Sequence, residues 1–316
     1  MSPVDTARRR VEAALATAAL LLLLSGCATI FSISKAPGGV HVVDPPRFEA
    51  PTRAEPPRVA LVLSGGAARA FAHLGVLRVL EREGLKPDLI VGTSAGAMVG
   101  AYYAAGKSVS EIEAIAARLD LTTLIDIDPV RTLLGGFGLG LAKGERLEAF
   151  LRESLDLPLQ ALPTPFVAVA TDLNTGESVL LNHGDTPRAL RASSAVPGLY
   201  EPVRAGGRML ADGQIASPLP VGAARKLGAR VVVAVDVVYP PQNASLTNPL
   251  SVLFQTVTIS TWRHLLRERE QADLLVRPGI PPTSDLALSD RAWLIAAGEA
   301  AAEKMLPALR VAFRPR

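Results

Sequence analysis

The chain reads as an α/β domain built on a doubly wound, mostly parallel sheet sandwiched by helices. Three observations point to it. Near-continuous aliphatic runs end in glycines, as in "RVALVLSGG", the form a strand takes when both of its faces are covered. Such runs alternate with segments whose apolar residues recur at helical spacing. The stretch from residue 58 to residue 316 is long enough to enclose one large core as a single domain.

In chain order, the first run is "RVALVLSGG", followed by "AARAFAHLGVLRVLEREG", where Ala70, Leu74, Leu77 and Leu80 mark one face of a helix that Gly84 ends. "PDLIVGTS" predicts a second short strand, and "AGAMVGAYYAAG" a helix of small residues. "SVSEIEAIAARL" predicts a third helix, opened by Ser108 or Ser110. Strands return at "PFVAVATDL", "ESVLL", "GRMLAD", "RVVVAVDVV" and "ADLLVRP", with helical patterns between several of them. There are no internal repeats.

Ahead of this domain the layout changes. Arg8, Arg9 and Arg10 precede an apolar run from Ala13 to Leu24, too short to span a bilayer as a stable helix, and then "LSGCAT". This is the three-part form of a secretory signal over residues 1–26. Its end resembles the bacterial lipoprotein signal, with Leu24, Ser25 and Gly26 before Cys27, and that resemblance implies lipidation of Cys27 as the first mature residue. Cys27 is the only cysteine, so no disulfide within the chain is possible. Ala28 after it, in place of an acidic residue, implies the periplasmic side of the outer membrane in a host with two membranes. Residues 27–57 are rich in proline, without a sustained apolar period, and read as a tether; about 30 flexible residues reach about 30 Å. The formal charge of +3 becomes +2 once the three arginines, Asp5 and Glu12 of the signal are removed, which argues against nucleic acid as a partner.

In a sheet of this kind ligands sit at the carboxyl ends of strands. Three segments put unusual residues there: "LSGGAAR", "VGTSAG" and "LADGQ". In "VGTSAGAMVG", Ser94 lies between Gly92 and Gly96, where a strand turns into a helix. Small neighbours suit a nucleophile on a tight turn, with the helix N-terminus aimed at a developing oxyanion, and they suit a structural turn equally well. In the loop before it, Gly65, Gly66 and Ala67 and the following residues to Arg69 can turn several backbone N–H groups toward one anionic oxygen. Neither the Walker pattern nor the dinucleotide pattern of spaced glycines is met there.

A Ser-His-Asp hydrolase of the α/β type places its acid and then its histidine after the serine. Only His183 and His264 follow Ser94, the first in a polar turn and the second in an amphipathic pattern. His73 falls in the first helix and His41 in the tether. Carboxylates remain: Asp212, with Gly213 behind it, ends a short strand, but Asp88, Asp172 and Asp236 also lie near strand ends, and spacing alone does not choose among them. A carboxylate with an ordinary pKa near ~3.9 is a weak base, so it must bond directly to the serine to be useful.

Taken together in their order, these segments resemble the patatin-like phospholipase family. "LVLSGGAARAFAHLGVLRVLE" is similar to its glycine-rich oxyanion segment, "VGTSAGAMVG" to its serine motif and "LADGQIASPLPV" to its aspartate segment. "GLAKGERLEAFL", "VAVATDLNTGE", "RASSAVPGLYEPV" and "IAAGEAAAEKMLPAL" add to the match. The resemblance implies a Ser-Asp dyad with Ser94 as nucleophile and Asp212 as general base. It further implies an oxyanion loop at Gly65, Gly66, Ala67 and Arg69, an acyl ester of a lipid as substrate, and no cofactor or metal. Two positions depart from the family's usual residues, Ala70 for a glycine and Ser217 for an asparagine. Ala70 is expected to narrow the packing behind the loop, and it keeps open a non-catalytic envelope lipid-binding protein of the same fold. A histidine-dependent esterase or thioesterase is a further alternative.

Two other segments carry paired readings. "LLGGFGLGLAKG" reads as a flap over an acyl channel or as a plain surface loop. "PLSVLFQTVTISTW" reads as a helix that touches lipid or as one that packs into the core.

Overall fold

The computed structural model describes residues 56–126, 139–241, 246–247, 249–280 and 288–314. The signal, Cys27 and nearly all of the tether therefore lie outside the described residues, as does the first half of the glycine-rich "LLGGFGLGLAKG" segment.

Strand β1, Val59–Leu63, is buried at every position. After a 3-10 turn at Ala67–Ala70 the chain enters α1, Phe71–Arg82, and Gly84 leaves it in the left-handed region with φ 65°. Strand β2, Leu89–Thr93, leads into α2, Ala95–Ala104. Helix α3, Val109–Ala117, starts at Ser108, whose hydroxyl accepts from the Glu111 amide while the Glu111 carboxylate accepts from the Ser108 amide. The capping box selects Ser108 over Ser110 as the opening residue. The one-turn α4, Leu121–Leu124, strand β3, Gly140–Ala142, and α5, Glu145–Ser154, follow.

Next come β4, Phe166–Asp172, β5, Ser178–Leu181, and α6, Thr186–Ser193, capped by Asp185. Three short strands stand in succession: β6, Gly198–Tyr200, β7, Val203–Ala205, and β8, Arg208–Asp212. Helix α7, Val221–Lys226, β9, Val231–Val235, α8, Pro249–Glu270, β10, Leu274–Val276, and α9, Arg291–Ala312, complete the described chain.

The main sheet runs β10-β9-β1-β2-β4-β8-β7, with β5 on the other edge of β4, and β3 pairs with β6 apart from it. From β10 to β4 every pairing is parallel, whereas β5, β7 and β8 pair antiparallel, so the sheet is mixed. Alternation along β1 feeds both faces: Val59, Leu61 and Leu63 enter one apolar core with α1, α2 and α9, and Ala60 and Val62 enter a second with α7 and α8. On the first face, α9 lies hard against α1 at two glycines. A Cβ on Gly75 would stand 1.9 Å from the Ile295 carbonyl, and one on Gly298 would stand 1.9 Å from that of Ala72.

One pairing decides where the chemistry can sit. β2 occupies β4 as far as Thr93 opposite Val169, and β8, running the other way, occupies it from Asp212 opposite Ala170. β5 pairs with β4 across both of these stretches and so holds the opposite edge. The carboxyl ends of β2 and β8 therefore abut on one edge of β4. An antiparallel strand ordinarily delivers its carboxyl end to the far side of a sheet, away from its parallel neighbours. Here it reaches the same place because β8 takes over β4 only where β2 stops.

Candidate active site

Ser94 sits at the junction of β2 and α2 with φ 55° and ψ −127°. Among the described non-glycine residues only Ser94 and Ala67, with φ 48°, have positive φ, and both border the same cavity. Backbone strain of this kind persists only where surrounding structure enforces it. The enforcement is steric at the two flanking glycines. A Cβ on Gly92 would lie 2.6 Å from Ala97 Cα, and one on Gly96 would lie 2.3 Å from the Ser64 carbonyl oxygen. The glycines let helix α2 approach the strand ends, while the strained angles belong to the serine itself.

The Ser94 hydroxyl donates to Asp212 Oδ2 at 2.7 Å, and Asp212 Oδ1 accepts from the Gln214 amide at 2.8 Å. The Asp212 amide donates to the Ala195 carbonyl, and the Ser94 amide donates to Ser193 Oγ, which in turn donates to the Val169 carbonyl. Gly213 follows because the chain crosses β4 there: a Cβ would stand 2.1 Å from the Val169 oxygen. Burial pushes the Asp212 carboxyl up to about 6, against the opposing hydrogen bonds from Gln214 and Ser94. That value brings it toward the range of a general base working near neutral pH.

The loop after β1 is held from several sides. His73 Nε2 bonds to the Ser64 carbonyl at 2.9 Å, and burial lowers this imidazole to about 4, so it is neutral and donates from Nε2. The Gly65 amide donates to the Pro218 carbonyl, and the Arg69 amide donates to that of Gly66. Arg69 Nε donates to the Val237 carbonyl at 3.1 Å, and its guanidinium lies over the Tyr239 ring. The amides of Gly65 and Arg69 thus take part in fixing the loop. The amides of Gly66, Ala67 and Ala95 have no hydrogen-bond partner among the described residues.

From Ser94 a cavity of about 190 Å³ runs between α1, α2, α3 and α5. Among the described residues no charged side chain lines it. Of its polar side chains, Tyr102 is bonded to Ser154 and Tyr200 to the Leu124 carbonyl, whereas the buried Ser194 hydroxyl has no partner. Ala70 has an ordinary helical backbone, φ −62°, and is among the residues that line this cavity, so the departure from glycine falls at the apolar channel.

Sequence reasoning passed over Glu268 of α8. It accepts from the Ser217 hydroxyl and from the Leu219 amide at 2.9 Å, and burial is the main cause that raises its carboxyl to about 7. The segment it grips also accepts from Thr93 Oγ1 at the Ser217 carbonyl and from the Gly65 amide at the Pro218 carbonyl. One carboxylate therefore ties α8 to the aspartate segment, the serine strand and the glycine loop. Ser193 was contained in "RASSAVPGLYEPV", but nothing in the pattern marked its contact with Ser94.

The remaining candidates go elsewhere. Asp88 accepts from the Val59 amide, Asp172 pairs with Arg208, and Asp236 pairs with Arg269 at 2.6 Å. His264 is exposed on α8, and no hydrogen bond of Ser94 or Asp212 involves a histidine. Among the described residues no group of three or more His, Cys, Asp or Glu is arranged to hold a metal ion.

A family model described as patatin-like phospholipase matches residues 61–225, more than half of the chain. An uncharacterized NTE family protein of Mycobacterium tuberculosis is 37% identical over 182 residues, 57% of this chain and 49% of that protein. Patatin-like phospholipase domain-containing protein 7 of Rattus norvegicus is 34% identical over 188 residues, 57% of this chain and 13% of that protein. The chain thus spans about half the length, or less, of these relatives. Among solved structures, VipD from Legionella pneumophila aligns over 89% of this chain and 73% of its own, with a TM-score of 0.47 and 17% identity. Human GIVD cytosolic phospholipase A2 aligns over 81% of this chain and 60% of its own, with a TM-score of 0.43 and 12% identity.

Proposed function

The chain belongs to the patatin-like phospholipase family, and from that membership and the site's geometry we propose that it is a lipid acyl hydrolase working through Ser94 and Asp212. The observation that carries this reading is the Ser94 to Asp212 hydrogen bond of 2.7 Å at the head of an uncharged, apolar cavity. A fatty acyl chain fits such a cavity, since burying it gains roughly 0.8 kcal/mol per methylene.

The reaction runs in two halves. Ser94 Oγ attacks the ester carbonyl while its proton passes to Asp212, and the amides of Gly66, Ala67 and Ala95 receive the negative charge that develops on the carbonyl oxygen. The intermediate collapses, the alcohol leaves with the proton, and the acyl group stays on Ser94. Water then gives a proton to Asp212 as its oxygen attacks the acyl-serine, and the fatty acid departs as the proton returns to Ser94. The buried, raised Asp212 carboxyl suits both halves, because it must take up and give back a proton within each turnover.

Outside the described residues, the reading includes lipidation of Cys27 and a tether that keeps the domain at the cell envelope, on the periplasmic side of the outer membrane in a host with two membranes. Two experiments test these claims separately. Purified protein offered diacyl phospholipids, lysophospholipids, acylglycerols and acyl thioesters should release fatty acid from at least one class, and Ser94→Ala should release none. Turnover retained in Ser94→Ala refutes the site. Protein from native membranes should carry acyl mass on Cys27, and its lack refutes the anchor alone.

A further inference from the structure

Helix α8 has a divided surface. Thr261 and Leu265 are buried, Trp262 packs against the second core, and Glu268 and Arg269 are bonded inward. On the outer face Val252, Ile259 and Leu266 recur every seven residues and are 48%, 55% and 40% exposed. That spacing returns to nearly the same side of a helix. The hydroxyls beside them do not need water: Thr256 and Ser260 donate to the carbonyls of Val252 and Thr256, each at 2.8 Å.

The charges on this face are cations and lie toward the carboxyl end of the helix. Arg263 and Arg267 are exposed and have no carboxylate partner among the described residues. The helix has two carboxylates, Glu268 turned inward and Glu270 at the last position. Apolar residues interleaved with cations on a helix too polar to cross a membrane suit an interfacial orientation. The helix also touches an element that reaches the cavity. α8 packs against β6, whose Leu199 and Tyr200 line it, and β6 pairs with β3, where Leu141 and the preceding Leu139 are exposed.

We propose that the outward face of α8 rests on an anionic lipid bilayer, with Val252, Ile259 and Leu266 among the upper acyl chains and Arg263 and Arg267 at the phosphates. The inference stands apart from the reaction, since the surface would bind whether or not Ser94 is a nucleophile, and apart from the anchor, since it concerns which residues touch the bilayer.

The test uses the full chain with Cys27→Ser, carrying an environment-sensitive fluorophore at Ile259→Cys or, as a control on α9, at Lys304→Cys. Vesicles of phosphatidylcholine, with or without phosphatidylglycerol, contain nitroxide-bearing acyl chains. The expected result is a blue shift and quenching at position 259 with the anionic vesicles, none at 304, and at least about tenfold weaker binding in Arg263→Glu with Arg267→Glu. Protein that sediments with vesicles while the label at 259 stays unquenched overturns the proposal. Equal binding to pure phosphatidylcholine overturns it as well, and so does a shift at 259 that appears without vesicles and grows with protein concentration, which would mark a contact between copies.

Discussion

Ser94 Oγ and Asp212 Oδ2 are 2.7 Å apart, although 118 positions separate the two residues and they end strands of opposite direction. They meet because β2 and β8 share one edge of β4 and stop at adjacent residues, Val169 and Ala170. The contact is therefore a property of the sheet as well as of two side chains.

The first consequence concerns pH. Asp212 must be ionised to accept the serine proton, and burial raises it to about 6. kcat/KM on a soluble ester should rise about tenfold per pH unit below this value and level off above it. A pH-rate profile with the ascending limb near the ordinary carboxylate value would contradict the burial argument.

Stability should move in the opposite sense. The folded-state pKa of Asp212 lies above its ordinary 3.8, so the native state binds more protons than the unfolded chain between 3.8 and about 6, and stability falls as pH rises through that window. Asp212→Asn removes the penalty. Denaturant titration at pH 8 should find it inactive yet more stable by up to about 3 kcal/mol, with the gain shrinking toward pH 4.

Gly213→Ala tests the crossing over β4. With a Cβ placed 2.1 Å from the Val169 oxygen, backbone must shift. Loss of more than about 2 kcal/mol in urea unfolding is expected, together with loss of turnover, because Asp212 is the adjacent residue. A variant of native stability would show that the crossing has more room than the contact implies.

Glu268 links α8 to the site without touching reacting atoms. Glu268→Ala leaves the Leu219 amide and the Ser217 hydroxyl without their acceptor and should cost about 1 to 3 kcal/mol. Glu268→Gln keeps an acceptor and loses the titration. Since the folded pKa is about 7 against 4.5, wild-type stability should decline between those values, and the decline should be shallower in the glutamine variant. The ascending limb near 6 should persist in Glu268→Gln, which separates a positioning role from that of the base.

Much of this was legible in the chain. The long aliphatic runs of β1, β4 and β9 announce buried strands because covering both faces leaves no alternation to confuse. Ser94 and Asp212 were visible as candidates from their glycines. What alternation cannot convey is pairing direction: β8 has the same pattern whether parallel or antiparallel, so the end-to-end meeting with β2 appears only in three dimensions. β6 and β7 are three residues each, too short for any period to register. Arg69 shows the limit of motif reading, since its side chain braces Val237 and Tyr239. Glu268 sits in a helix where a carboxylate is commonplace, and only its burial singles it out.

The most direct test of the central claim is to trap the acyl group. Protein mixed with an activated ester such as p-nitrophenyl butyrate, quenched in acid during the burst and digested, should show one butyryl mass on the peptide containing Ser94. The adduct should be absent in Ser94→Ala and fail to accumulate at the burst rate in Asp212→Asn. Ester hydrolysis at wild-type rate in Asp212→Asn, or an acyl group on any residue other than Ser94, would contradict the account.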